Sequence, residues 1–523
     1  MIKHIYILTL ALMSFMLSAW VDAATNTSAS ENDHSPLGTN LSFVVDRSTE
    51  WVFVDAFKMS RPWVSQQTGR GWGQGGNLDL DANGWVKSLQ SGQSADALMQ
   101  WRGDFSGLRG KYLVLYDGEG TLRFSGSATA ESFAPGRVIL NVKPKENDGG
   151  FILKIVSTNP SNYIRNIRVI RPGFEPSYKA QPFHPLFLDR INKFKVLRFM
   201  DWQKTNNSPL INWADRTTQN TYTQTGSGGV ALEYMIDLAN LLNADPWFNM
   251  PHQASDDFVR HFAQMVKDRL NPHLKVYIEF SNEVWNKQFQ QAHYAAQQGL
   301  ALGLSSNRSE AQLRFQSKRS LEIFSIWEQV YGSTDRLVRV LATQAANTWS
   351  TTTVLDWNNA KLKADAVAIA PYFCGVAGRG DATAIIAMTV DQLLDFCSNE
   401  ITTTIKGWMD SQHAAISSRG LSMITYEGGQ HLVGVGPNQN IKQLTDLFIS
   451  ANRHPRMQNL YSIYLNQWKA AGGELFVNFT SVSLPSKGGS FGALEYQDQD
   501  PATAPKYQAL MDFIAANPAR VMH

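Results

Sequence analysis

Lys275–Phe280 (KVYIEF) runs straight into Ser281-Asn282-Glu283-Val284-Trp285-Asn286, and Ser422–Tyr426 (SMITY) runs straight into Glu427-Gly428-Gly429-Gln430-His431. Each is a short apolar run of strand length, and each delivers a glutamate at or just past its C-terminal end. Working outward, such runs alternate with helical patterns from Val196 onward. The other strand candidates there are Val196–Met200 (VLRFM), Pro246–Met250 (PWFNM), Leu337–Leu341, Ala366–Ala370 (AVAIA) and Glu474–Asn478 (ELFVN). Between them Ser255 caps a helix with Asp256 and Asp257 in its first turn, where acids suit the helix dipole. Leu313–Tyr331 is a helix that stops at Gly332. Further helical patterns cover Val230–Leu242, Val390–Ile416 with at least one break, Ile441–Ala451, Met457–Ala471 and Lys506–Ala516. Trp51–Phe57 (WVFVDAF) supplies one more strand near the front. Strands this continuously apolar suit a parallel sheet covered by helices. Eight β/α units in one chain predict a closed (β/α)₈ TIM barrel, with a doubly wound open sheet as the alternative. In that order KVYIEF is strand four and SMITY strand seven. The glycine-rich stretch Gly69–Gly76 has no helix pattern after it and is poor evidence for a nucleotide-binding turn.

From about Asn77 to Pro172 the alternation stops. Short β-rich runs replace it: Ala97–Trp101, Tyr112–Tyr116, Leu122–Ser125, Val138–Val142, Phe151–Val156 and Ile164–Ile170, with turns such as Asp117-Gly118 and Asp148-Gly149-Gly150. The pattern predicts a small β-sandwich inserted between the first and second barrel strands. The expected division is 39–72 for the first barrel strand and its loop, 73–172 for the sandwich and 173–523 for the rest of the barrel.

The bulk numbers exclude some partners. Of 523 residues, 47 are Lys or Arg and 45 Asp or Glu, a net charge of +2 with no basic block, so no nucleic acid is expected. At the N-terminus Lys3 and His4 precede an apolar run, Ile5–Val21, and Asp22-Ala23-Ala24 follows. This is the pattern of a cleaved export signal over residues 1–24. A membrane anchor is the rival, but the run is near the lower limit for spanning a bilayer. Polar residues 25–38 read as a flexible tether. The chain is therefore expected to be secreted or periplasmic, without stable membrane insertion after signal cleavage, and to act as a monomer. Its two cysteines, Cys374 and Cys397, are expected to form a disulfide in an oxidising compartment, two buried thiols being the other reading. His252 and His261 lack partners at metal-ligand spacing. No metal and no cofactor is expected.

An Asn-Glu pair ending strand four together with a lone glutamate ending strand seven resembles clan A of the glycoside hydrolases. That clan of (β/α)₈ enzymes includes cellulases, mannanases, xylanases, β-1,3-glucanases and β-galactosidases. The resemblance covers residues 39–72 and 173–523 and extends to the clan, not to one family within it. It implies that Glu283 is the acid/base and Glu427 the nucleophile, with Asn282 on the sugar 2-hydroxyl. It further implies that Arg198 supports the nucleophile, that Tyr372 bonds it and that His252 lies at the site after strand three. It implies retaining cleavage of β-glycosidic bonds in a polysaccharide or oligosaccharide, a β-glucan such as cellulose or a β-mannan foremost. The tryptophan common in the clan at the end of strand eight is absent; Phe476-Val477-Asn478-Phe479 stands there.

The residues alone leave other readings open. Each glutamate by itself could be a helix-start carboxylate on an exposed loop; their joint placement favours catalysis. Arg198 could pair with Glu279, which strand alternation turns to the same inward face as Glu283 and which needs a partner if buried. Tyr372 could be a core aromatic and His252 a capped loop histidine. Trp202, Trp247, Trp285, Trp349 and Trp357 lie at or just after strand ends, where indole faces could stack on sugar rings. Division of labour predicts a raised pKa for Glu283 and a lower one for Glu427, charged beside Arg198. The rival functions are a catalytically silent carbohydrate-binding barrel and a polysaccharide esterase, the latter lacking a Gly-x-Ser-x-Gly elbow. The inserted sandwich is either carbohydrate-binding or structural.

Overall fold

The computed structural model describes residues 32–99, 106–144 and 149–518. The export signal and most of the expected tether lie outside the described residues, as do Trp101 and Asp148.

Eight parallel strands form one sheet: Leu37–Asn40, Val196–Arg198, Asp245–Met250, Val276–Phe280, Leu337–Ala342, Ala366–Ile369, Ser422–Thr425 and Phe476–Asn478, here strands one to eight. Neighbours in this order are paired from strand one to strand seven, and strand eight pairs with strand one. The remaining seam is bridged. The Thr425 N–H donates to the Leu475 carbonyl at 3.0 Å, the Glu474 N–H to the Met423 carbonyl at 2.9 Å, and the Val477 N–H to the Thr425 hydroxyl at 2.6 Å. The sheet thus curls into a (β/α)₈ barrel. Val196, Trp247, Tyr277, Val340, Ala368, Ile424, Tyr426 and Val477 fill its interior. A larger apolar layer lies between strands and helices. Ser255 caps the helix Asp256–Arg269 as expected, accepting from the Phe258 N–H, and Gly332 closes the helix Arg308–Tyr331 in a left-handed conformation.

The first strand is not where the sequence pattern put it. Leu37–Asn40 is that strand, so the expected tether runs into the barrel and the 39–72 unit starts too late. All four residues are buried. A Cβ at Gly38 would lie 2.8 Å from the Val196 carbonyl oxygen and 3.1 Å from a Val477 methyl, so glycine is what lets strands two and eight close on this one. Trp51–Phe57 is apolar for another reason. Val52 and Phe53 belong to the barrel's outer apolar layer, whereas Trp51, Ala56 and Phe57 belong to the core of the inserted unit. The segment passes between two cores and is buried by both.

The insertion holds two four-stranded antiparallel sheets around that second core. One sheet contains Val64–Gln67, Gln93–Met99, Phe151–Thr158 and Gly120–Gly126; the other contains Arg165–Ile170, Gly110–Asp117, Arg137–Val142 and Ala128–Ala134. The sandwich therefore begins at Val64 rather than residue 73. Val64–Gln67 and Ala128–Ala134, both edge strands, were not anticipated, because polar edge strands carry little apolar alternation. The sandwich docks on the loop after strand two. Trp63 stacks on Tyr222 with ring centroids 5.4 Å apart, and the Lys58 ammonium donates to the Gln219 and Thr221 carbonyls.

Cys374 and Cys397 form a disulfide, Cα atoms 5.1 Å apart, tying the loop after strand six to the helix Val390–Glu400. Among the described residues, no helix is long and apolar enough to cross a membrane.

Candidate active site

Strand alternation turns Arg198 and Glu279 into the barrel, where water cannot satisfy them, so each must find partners. The Arg198 guanidinium donates to Glu279 Oε2 at 2.9 and 3.2 Å, to Asn40 Oδ1 at 3.0 Å, to Asn282 Oδ1 at 2.8 Å and to Glu427 Oε1 at 3.0 Å. Arg198 thus pairs with both Glu279 and Glu427. Glu279 Oε2 also accepts from the Trp247 indole N–H at 2.9 Å and from Asn249 at 2.7 Å. One planar cation therefore connects strands one, two and four to the end of strand seven.

The end of strand four is bent to fit. Ser281 and Glu283 have φ of +57° and +42°, left-handed values that cost a side-chain-bearing residue of order 1–3 kcal/mol each. The turn is held from outside: Asn249 donates to the Ser281 carbonyl at 2.6 Å and Gln291 to the Asn282 carbonyl at 2.9 Å. Glu283 Oε2 accepts from Asn286 at 2.8 Å and Oε1 from the Tyr426 hydroxyl at 3.1 Å. Glu427 Oε2 accepts from the Tyr372 hydroxyl at 2.9 Å. Asn282 Nδ2 donates to Asn206 at 3.1 Å and keeps one further amide hydrogen.

Burial pushes both glutamates up. Glu427 reaches about 7, with Arg198 pulling down, the Glu283 charge pushing up and the Tyr372 hydroxyl pulling down. Glu283 is raised by burial against the hydrogen bonds from Asn286 and Tyr426, and Arg198 acts on it more weakly. Glu427 was expected below Glu283; burial raises both, and at Glu427 desolvation outweighs the Arg198 cation. Two such carboxyls titrate as a pair. Asp201, also buried at this mouth, is pushed well above the carboxylate range by burial and the charge of Glu427.

The structure thus brings Arg198, Asn282, Glu283, Tyr372 and Glu427 together. Trp285 is half-buried and lines the adjoining cleft of about 450 Å³. Other candidates lie elsewhere. Trp202 is fully buried among Phe53, Phe187 and Phe199. Trp247 is fully buried under Arg198 and against Tyr277. Neither offers a face to a sugar, which corrects their expected role as platforms. His252 is buried edge-on to Tyr294, its Nδ1 without a partner; burial holds its pKa at about 4, and it does not line the cleft. Trp349 is 48% exposed but likewise stands outside the cleft wall. Phe479, after strand eight, packs edge-on against Tyr372 with ring centroids 6.4 Å apart.

Sequence reading assigned no role to Asn40, Asn206, Asn286, Tyr426 and His431. Tyr426 adjoins Glu427 and Asn286 stands three residues after Glu283, which is the available signal. Among the described residues, no cluster of His, Cys, Asp or Glu suits a metal ion.

No family model matches the chain, and no curated protein matches it. Solved structures do. One is a broad-specificity endoglucanase from Clostridium longisporum, 10% identical with TM-score 0.38 over 65% of this chain and 88% of that one. Another is a 4-O-α-L-rhamnosyl-β-D-glucuronidase from Fusarium oxysporum, 12% identical with TM-score 0.37 over 61% of each chain. A third is an exo-β-1,4-mannosidase from Opitutaceae bacterium strain TAV5, 11% identical with TM-score 0.39 over 63% of this chain and 55% of that one.

Proposed function

We propose that the chain is an exported, retaining glycoside hydrolase that cleaves β-glycosidic bonds in a polysaccharide or oligosaccharide by double displacement. The observation that carries this reading is the unequal support of two carboxyls at one barrel mouth. Glu427 accepts from a cation and a phenol, Arg198 at 3.0 Å and Tyr372 at 2.9 Å. Glu283 accepts only from neutral groups, Asn286 and Tyr426. A cationic donor favours the ionised form more than a neutral one does. When the pair holds one proton, the charge therefore belongs on Glu427 and the proton on Glu283.

That distribution is what the reaction needs. Glu283 gives its proton to the glycosidic oxygen as a Glu427 oxygen attacks the anomeric carbon and the bond to the leaving group breaks. The sugar is then esterified to Glu427, and Glu283 is a carboxylate. In the second step Glu283 takes a proton from water, the water oxygen attacks the same carbon, and Glu427 leaves as carboxylate. Two displacements restore the starting configuration. In this reading the remaining amide hydrogen of Asn282 holds a sugar hydroxyl beside Glu427. The barrel, the cleft and the half-buried Trp285 suit an extended glycan, for which a β-glucan such as cellulose or a β-mannan is the leading candidate. A secreted or periplasmic location follows from the apolar leader, and the disulfide suits such a compartment.

The test is reducing-sugar release by purified protein from cellulose, mannan, xylan and laminarin, with Glu427→Gln as control. Release by the wild type and none by the variant is expected. No release from any glycan, and none from chromogenic β-glycosides, would refute the reading; retention on a glycan without cleavage would replace it with a binding barrel.

A further inference from the structure

The cleft of about 450 Å³ touches Glu283 and Tyr372 at one end, and Glu427 is not part of its wall. Its walls come from the segments that follow strands four, five, six and seven. Its far wall carries Arg379, Glu400 and Trp408, none of which comes from a barrel strand. The Arg379 side chain is exposed. Glu400 is 7% exposed, and its Oε2 has no hydrogen-bond partner. A buried carboxyl oxygen left unsatisfied is costly; burial raises the Glu400 pKa, with a hydrogen bond from the Cys374 N–H and the Arg379 charge pulling down, and the residue lines the cleft. Trp408 is half-buried on the same wall.

The local backbone explains why these side chains meet. Glu400 ends the helix Val390–Glu400, Trp408 lies in the helix Lys406–Ser417, and a π-helical turn, Ile401–Ile405, joins them. In an unbroken α-helix an eight-residue step leaves the two side chains about 80° apart. The extra residue taken up by the wide turn brings them to within about 20°. A carboxyl and an indole thus share one face. The Cys374–Cys397 disulfide ties this helix to the loop leading into Gly375–Arg379.

Resting on the hydrolase reading above, we infer that this cleft binds the leaving-group arm of the substrate, the sugar units attached to the oxygen that Glu283 protonates. Glu283 is in the cleft wall, so the sugar units attached to the oxygen it protonates extend along the cleft. Trp408 offers an apolar face to a sugar ring. Glu400 accepts from hydroxyls and Arg379 donates to them, and a hydroxyl does both. Trp408, Glu400 and Arg379 are then specificity-determining residues that favour a glycan chain over a small aglycone.

The experiment compares kcat/KM on cellohexaose and mannohexaose with kcat/KM on the para-nitrophenyl β-glycosides of the corresponding disaccharides, whose leaving group is a single aryl ring that carries no sugar. Wild type, Trp408→Ala, Glu400→Gln and Arg379→Gln are measured, with thermal melting as the check on folding. The oligosaccharide-to-aryl ratio should fall about tenfold in each variant, mainly through KM. Arg379 is exposed, so its variant carries the test if either buried substitution fails to fold. An unchanged ratio in folded variants overturns the inference and leaves the hydrolase reading standing, as does an equal loss on both substrate types. A wild type inactive on every substrate overturns the reading beneath it.

Discussion

Replacing Tyr372 with phenylalanine removes one atom from the site, the hydroxyl oxygen that donates to Glu427 Oε2 at 2.9 Å. The ring keeps its edge-on contacts with His431 at 5.5 Å, Phe491 at 6.1 Å and Phe479 at 6.4 Å, so the wall keeps its shape. A hydrogen bond to a charged group contributes roughly 1.5–3 kcal/mol. Glu427 retains Arg198 at 3.0 Å, which places the loss at the lower end, equivalent to about one pKa unit. The lost bond favoured the carboxylate over the acid, so the Glu427 pKa, already pushed up to about 7 by burial, rises further. In double displacement the acid limb of kcat/KM follows ionisation of the nucleophile. That limb should therefore move to higher pH by about one unit, with a rate about tenfold lower at any fixed pH on it. The assay is a pH profile of kcat/KM for wild type and Tyr372→Phe on an activated aryl β-glycoside. A limb that stays in place or moves to lower pH would refute the assignment of Tyr372 and Glu427.

Glu279→Ala should cost about 3–5 kcal/mol in denaturant unfolding, because it strands the buried Arg198 charge and the Trp247 and Asn249 donors; a loss under about 1 kcal/mol would mean Glu427, Asn40 and Asn282 satisfy Arg198 without it. Cys374→Ser should cost about 3 kcal/mol by opening the 23-residue separation between the paired cysteines, and thiol titration of the unfolded, non-reduced wild type should find no reactive thiol. Trp72, 57% exposed in the glycine-rich segment of the sandwich, should hold the full chain to insoluble cellulose or mannan. Equal retention of Trp72→Ala would leave the sandwich as scaffold.

How much of this was legible depends on where burial comes from. Strands four and seven announce themselves because both faces are buried, so their sequences are mostly apolar, Glu279 being paired inside the barrel, and Asn282-Glu283 and Glu427 follow just past their ends. Ser255 and Gly332 are legible because caps act within a single turn. Leu37–Asn40 is invisible because its burial is supplied by strands two and eight, and the close approach selects glycine instead of a bulky residue. Trp51–Phe57 misleads because two separate cores bury it. Trp247 lies within strand three, where alternation turns its ring inward to Arg198; proximity to a strand end says nothing about which way a ring points. Arg379, Glu400 and Trp408 come from helices past strand six and reach the cleft only through tertiary packing. The raised pKa of Glu427 has the same origin, since desolvation depends on everything packed around the carboxyl.

The central claim is that Glu427 attacks the sugar. A proton NMR time course of the first product released from a β-linked oligosaccharide tests it most directly, because attack by Glu427 followed by water passes through two inversions. Retaining chemistry places the two carboxyls about 5–5.5 Å apart, whereas inverting chemistry needs about 6.5–9.5 Å to admit a water between carboxylate and sugar. The β-anomer should appear first and then mutarotate. An α-anomer appearing first would show that water, not Glu427, attacks the anomeric carbon.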